Sequence, residues 1–457
     1  MSDLNVLLVC YVFPPAGGTG VMRVASLARY LPAEGIRLDV LTTRNASAVG
    51  ADPSLLQEIP NEVRIHRTIT LDLPFSLKKG IKKLIVGRRR APEPASPAKP
   101  TGKGGIVKRV LENILVPDPQ VTWYPVLTRA ARRIVRKREI DLVLITAPPF
   151  SNLLLVERLR KEFPGLPIVV DFRDEWLTTA FELVSFLFSR SEHARKTAGK
   201  IEAGAVANAT SLVAVTEAAR RKIHSRYPDL PDSKFYLIPN GFDSTKLGCT
   251  THVPRLGEKI VVTHVGTIYT STEPTALVEA VRLLPPGMRS RFLFRFIGHI
   301  EEPRFRDAIL QLGEAVELKG YLPQREALAL MDETDYVLLI NQDPLNVGGK
   351  FYDYVGGGKP ILGAVHPEGE TRRLLEELHA GWWAPISDVE AIRKLFVDAA
   401  ERGKAPFAEF KPDTAKIAQY ERKTLARRYA ALLHSIAAEA GEKQSGKKGV
   451  PADGAKL

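Results

Sequence analysis

A chain of 457 residues exceeds what one hydrophobic core sustains, so two domains are expected. Its 44% hydrophobic and 26% charged residues are the makeup of a folded globular protein and exclude wholesale disorder. The net charge of +13 points to anionic partners and says nothing of fold. The two cysteines, Cys10 and Cys249, give neither a disulfide framework nor a metal spacing, which fits a reducing cytoplasm. The N-terminal MSDLNVLLVCYVFPP lacks the basic leader of a signal peptide, and no apolar run approaches the ~20 residues of a membrane span. A soluble or peripheral protein is expected.

In chain order, short β-branched runs alternate with helical patterns. The runs are Asn5–Cys10, Arg37–Thr42, Asp141–Thr146, Ile168–Phe172, Ser211–Val215 and Phe235–Ile238, then Lys259–Val265, Phe292–Ile297, Tyr336–Ile340 and Pro360–Leu362. Several are apolar throughout, as parallel strands covered on both faces are. The alternation occurs twice. It predicts an α/β protein of two Rossmann-like, doubly wound domains facing a cleft. The first domain is assigned to 1–245 and the second to 255–410, divided by the turn-rich NGFDSTKLGCTTHVPRLGE. Asp413–His434 reads as one long amphipathic helix, part of a closing segment 411–436, and 441–457 as a disordered tail. Within the first domain, 88–105 reads as a basic, disordered insert.

The basic residues are clustered. Between Lys78 and Arg109 stand eleven Lys or Arg and one acid, Glu93. Arg129, Arg132, Arg133, Arg136, Lys137 and Arg138 follow on one helical segment. Together with the apolar run Phe181–Phe188 they suggest a surface resting on anionic lipid; a solvated loop plus a core helix is the plainer alternative. Interleaved aromatics and a known nucleic-acid module are lacking, so no nucleic-acid partner is expected.

Candidate site residues fall at strand ends. Gly17, Gly18 and Gly20 form a glycine loop between the first strand and first helix, an acceptor-side loop or a mere flexible turn; it has neither G-x-G-x-x-G spacing nor a Walker lysine. Asp171, Arg173 and Asp174, followed by Trp176, emerge at another strand end. Either carboxylate can take a proton from a hydroxyl and Arg173 can orient an anion, or an Asp–Arg pair braces the loop. Gly266 and Thr267 offer a backbone amide to a phosphate, and Tyr321 and Leu322 follow a further strand where a base would lie. In VGGKFYDYVGGGKP, Gly348 and Gly349 open a helix whose N–H groups and dipole suit a phosphate, Lys350 adds charge, and Asp353 stands one turn on for ribose hydroxyls. Glu370 and Thr371 begin another helix. His264, His299 and His366 have no ligand spacing, so no metal site is read.

These segments resemble the retaining, family-4 type of glycosyltransferases with the GT-B fold. YVFPPAGGTGVMRVASLARYL is similar to that family's opening strand, loop and helix; VVDFRDEW to its DFRDPW-type segment; LIPNGFD to the close of its first domain; HVGTIY to the start of its second; and GGKFYDYVGGGKPIL to its donor element. The resemblance implies a nucleotide-sugar donor, retention, no resident cofactor, no bound metal and a terminal helix crossing back to the first domain. Two departures stand out. Asp353 takes the place of the second glutamate of a spaced pair, and Leu345 that of the first; HVGTIYTSTEP lacks the usual Arg and Lys, a charge that Lys350 would supply. The reading is a cytoplasmic glycosyltransferase, peripheral at the inner membrane face. It would transfer a hexosyl group from a nucleotide sugar to a saccharide or lipid-linked acceptor in polysaccharide or glycolipid biosynthesis, with Asp171, Arg173, Asp174 and Lys350 as catalytic candidates. A nucleotide-sugar epimerase on the same fold and a protein binding nucleic acid or an anionic surface are the alternatives. An oxidoreductase is disfavoured by the absence of a strand–GxGxxG–helix unit.

Overall fold

The computed structural model describes residues 3–46, 51–70, 115–178, 192–247, 259–404 and 409–448. The lysine-rich run from Lys78, the 88–105 insert, Phe181–Phe188, Cys249 and the last nine residues lie outside them. The first sheet contains β1 (Leu4–Val9), β2 (Ile36–Thr43), β3 (Arg64–Thr68), β4 (Leu142–Ala147), β5 (Ile168–Phe172), β6 (Ser211–Ala214) and β7 (Phe235–Leu237). The second contains β8 (Ile260–Val265), β9 (Phe292–Ile297), β10 (Val316–Gly320), β11 (Tyr336–Asn341), β12 (Ile361–Val365) and β13 (Gly381–Pro385). Their orders are β3-β2-β1-β4-β5-β6-β7 and β10-β9-β8-β11-β12-β13, parallel throughout. Each is doubly wound, as the alternation predicts. The switch points, where ligands bind in such sheets, fall beyond β1 and β4 and beyond β8 and β11.

The apolar strands are buried on both faces. Along β1, Leu7 and Val9 join one core with Trp123, Leu127 and Leu155; Val6 and Leu8 join another on the opposite face. That second core includes Leu425, Tyr429, Leu433 and Ile436, so the terminal helix packs on the first domain's sheet. Cys10 is a buried core thiol, pushed up to about 12 by burial.

Three strands escape the pattern. β3 (RIHRT) and β10 (VELKG) are edges with half-exposed, charged positions, which blunt pairing with other chains and hide the apolar signal. β13, GWWAP, is bounded by glycine and proline. The late helix is also corrected. Asp413–His434 is a helical turn at Thr414–Ile417, a 3-10 turn to Tyr420, and then a helix Arg422–Lys448. The break at Glu421, with extended backbone, is where the chain returns to the first domain: the Phe242 amide donates to the Tyr420 carbonyl and the Arg422 amide to the Phe242 carbonyl at this crossing. A Cβ at Gly241 would sit 2.0 Å from the Tyr420 carbonyl oxygen, so only glycine lets the two segments meet. The helix also runs through 441–448, inside the stretch read as a disordered tail.

Candidate functional site

Between the sheets, at both switch points, lies a cavity of about 650 Å³. The second-domain wall comes from three strand ends. At the end of β8, Gly266 has φ +133, and a Cβ there would approach Lys350 Cδ to 3.4 Å. At the end of β9, Gly298 has φ +138, and a Cβ would lie 2.2 Å from the Gly266 carbonyl oxygen. Both positions demand glycine, and the two backbones form a floor with no side chains. Beyond β11, Gly348 N-caps the helix Gly349–Gly356, and Gly348, Gly349 and Lys350 of this helix start line the cavity.

Lys350 sits in that first turn. Its ammonium lies 3.2 Å from His264 Nε2. His264 is fully buried, and Nδ1 is 3.1 Å from the Leu338 carbonyl oxygen. Nδ1 therefore donates, leaving Nε2 to accept from the lysine. Burial pushes Lys350 down to about 7, and burial together with the lysine's charge holds His264 well below its ordinary value. Asp353 lines the same cavity, 3.9 Å from Arg422; burial raises its carboxyl to about 6 against the pull of Arg422.

Gly266, Thr267, Tyr321, Leu322, Gly348, Gly349, Lys350 and Asp353 are thus brought together from the second domain, and Gly17, Gly18 and Asp174 meet them from the first. Gly20 faces an adjoining space of about 310 Å³ with Arg173, where the Arg173 guanidinium donates to the carbonyls of Gly20 and Pro148. Asp174 lines both spaces with its side chain exposed in them, while surrounding protein pushes its carboxyl up to about 6; Arg173 opposes this, and Asp343 and Asp171 add to it.

Two expectations are corrected. Asp171 is fully buried and its oxygens are taken: Arg23 grips it at 3.0 and 2.9 Å and the Tyr429 hydroxyl donates at 2.7 Å. It braces strand, first helix and terminal helix, as the alternative of an Asp–Arg pair had it, with Arg23 as partner in place of Arg173. Glu370 and Thr371 stand behind the wall. Glu370 takes Arg373 at 2.6 Å, and Thr371 accepts from Asn341 at 2.7 Å.

Several residues of the site carry no local signal. Asp343 accepts from the backbone of Leu345 and Asn346, shaping a tight loop after β11. That loop crosses the cleft: Asn346 Oδ1 accepts from the Glu175 amide at 3.2 Å, and the Thr216 hydroxyl donates to the Leu345 carbonyl at 2.6 Å. Leu345, where a glutamate was expected, contributes its backbone to the domain contact. Phe150 stacks on Trp176 at 4.3 Å and forms an aromatic wall on the first domain's side. Gly298 had a legible signal, since FRFIG repeats the strand-then-glycine pattern of VTHVG. Among the described residues no cluster of His, Cys, Asp or Glu is arranged to hold a metal ion, and no helix is long and apolar enough to cross a membrane.

Residues 77–246 match the profile of Glycosyltransferase Family 4. No curated protein matches the chain in sequence. Among solved structures, HepE of Anabaena in complex with UDP and glucose is 16% identical, covering 97% of this chain and 100% of its own, with a TM-score of 0.57. Sucrose-phosphate synthase from Thermosynechococcus elongatus is 14% identical over 97% and 98%, TM-score 0.56. WaaG, a glycosyltransferase involved in lipopolysaccharide biosynthesis, is 15% identical over 95% and 98%, TM-score 0.54. These likenesses establish the two-domain fold that the doubled strand orders describe. The chain thus has the two-domain GT-B fold, and its segment 77–246 matches a glycosyltransferase family.

Proposed function

We propose that the cavity takes a nucleotide sugar and that the enzyme passes its sugar, with retention, to a saccharide or lipid-linked acceptor in polysaccharide or glycolipid biosynthesis. The observation that carries this reading is Lys350. Its ammonium faces a cavity at a helix N-terminus and over two glycines, with an imidazole as its hydrogen-bond partner. A cation held by a neutral imidazole, at the start of a helix, suits a diphosphate. The base would lie toward Tyr321 and Leu322, and Asp353 would take ribose hydroxyls. As the sugar–phosphate bond breaks, Lys350 and the helix stabilise the departing diphosphate. The acceptor enters on the first-domain side, between the Phe150–Trp176 stack and Asp174, and Asp174 accepts its proton. The nucleotide sugar is substrate, and the reaction proposed needs no resident cofactor.

HepE, whose complexes contain UDP and UDP-glucose, lends weight to a uridine donor. WaaG's part in lipopolysaccharide synthesis lends weight to a lipid-linked acceptor at the inner membrane face. A thermal-shift panel of UDP-, GDP-, ADP- and dTDP-sugars tests the reading. A donor at 100 times its Kd stabilises the fold by about 2.7 kcal/mol. Failure of every member to raise the melting temperature, at millimolar concentration, would overturn it.

A further inference from the structure

A buried histidine beneath the site is left without a role by the transfer reaction. We propose that His264 is a positioning residue for the donor's diphosphate: its Nε2 acceptor holds the Lys350 ammonium against the end of β8 without cancelling its charge. The inference rests on the donor reading above.

The geometry is specific at each step. The Leu338 carbonyl on the neighbouring strand fixes the ring by accepting from Nδ1. The tautomer then presents an acceptor to Lys350. The lysine stem lies over Gly266, where a Cβ would come within 3.6 Å of Nζ, so the missing side chain is what lets the stem fold back. Tyr354, from the same helix as Lys350, takes the Val265 amide at 2.8 Å and pins that helix to β8. A carboxylate in place of the imidazole would satisfy the ammonium equally well, but it would neutralise the charge and repel an incoming diphosphate. A neutral acceptor orients the cation and leaves it available.

The other ionisable groups around the cavity are Asp52, Asp174, Glu175, Asp343, Asp353 and His299, with the phenols of Tyr269 and Tyr321. Asp353 is drawn to Arg422, Glu175 to Arg226, and Asp343 is used by its own loop. His264 is the hydrogen-bond partner of Nζ among the described residues. Burial already pulls the lysine down to about 7. Loss of the acceptor lowers it further, because the ammonium loses a hydrogen bond that the neutral amine needs less.

The test has one readout without ligand and one with it. In protein carrying [13Cε]lysine, Lys350 is assigned by the signal lost in Lys350→Met, and its titration is followed. His264→Leu is expected to lower the midpoint by about half a pH unit or more, and His264→Gln, whose amide oxygen can accept, to restore part of it. Calorimetry with UDP, and with inorganic pyrophosphate as a probe without a base, should show about fivefold weaker binding at pH 8 for His264→Leu and a smaller loss at pH 6. In a Lys350→Met background the same replacement should change nothing. If His264→Leu does not fold, His264→Asn, too short to reach Nζ, carries the same expectation. An unmoved lysine titration, or an equal loss of binding with Lys350 already removed, would overturn the proposal. Failure of wild-type protein to bind either probe would instead count against the donor reading, and the lysine titration would still decide the role of His264.

Discussion

At the scale of residues, two groups facing one cavity have been moved toward neutrality from opposite directions. The surrounding protein raises the Asp174 carboxyl to about 6, and burial lowers the Lys350 ammonium to about 7. Asp174 acts as a base only when ionised, so transfer rises as pH climbs through about 6. Lys350 attracts a diphosphate only when protonated, so it fades above about 7. A narrow bell in kcat/KM against pH follows. Asp174→Asn should cost about 10²–10⁴-fold in transfer, leave donor affinity nearly unchanged and remove the acid limb. Lys350→Met should remove the alkaline limb. Both groups also burden the fold. A lysine at 7 in the folded state and 10.5 unfolded costs most below pH 7, and stability recovers as pH rises toward 10.5. Lys350→Met should therefore be more stable than wild type at pH 6, by roughly 1–3 kcal/mol. Equal or lower stability in a urea titration at pH 6 would contradict this.

At the scale of elements, the site depends on joints between distant segments. Arg23 joins Asp171 and Tyr429 and also reaches the carbonyls of Ile238 and Pro239, so a single guanidinium ties the first helix, β5, the IPNG turn and the terminal helix. Arg23→Met would strand a carboxylate with no exposure and cost about 3–5 kcal/mol, measurable by urea denaturation. Replacing Asp171 by Leu as well should recover most of that and retain transfer, since Asp171 braces the site and lines neither space. Loss of transfer in the folded double variant would return Asp171 to the chemistry.

These joints explain how far the sequence could be read. Both sheets were legible because parallel strands covered on two faces advertise themselves as apolar runs. The glycine loop, the DFRDEW strand end and the helix Gly349–Gly356 were legible as segments lining the cavity because strand ends before helices border the cleft in such folds. The edges β3 and β10 were hidden by their own charges. Lys350 and His264 stand 86 positions apart, and Asp171 stands 148 from Arg23 and 258 from Tyr429. No spacing rule joins residues so remote; only the register of β8 against β11 and the return of the terminal helix bring them together.

At the scale of the whole molecule, the charge of +13 is concentrated in the first domain's share of the chain. On the helix Tyr124–Lys137, Arg132 and Arg136 are tied to Glu162, while Arg129, Arg133 and Lys137 are exposed beside Val126. Anionic vesicles should bind the protein, and binding should fade with salt, because each Lys or Arg near such a surface contributes about 1 kcal/mol. Replacing Lys78, Lys79, Lys82 and Lys83 by glutamine should release it. Sedimentation indifferent to lipid charge would refute membrane docking, and tighter binding to duplex DNA would redirect the basic surface to another partner.

The central claim is that one cavity between two doubly wound domains holds the donor with its diphosphate on Lys350 and the Gly348–Gly349 helix start. Crystals grown with whichever nucleotide sugar stabilises the protein test it most directly. The account predicts phosphate oxygens within hydrogen-bond reach of Lys350 Nζ and of the first N–H groups of that helix, with the base near Tyr321 and the sugar turned toward Asp174. A bound nucleotide whose phosphates lie away from Lys350, or that occupies neither space between the domains, would contradict it.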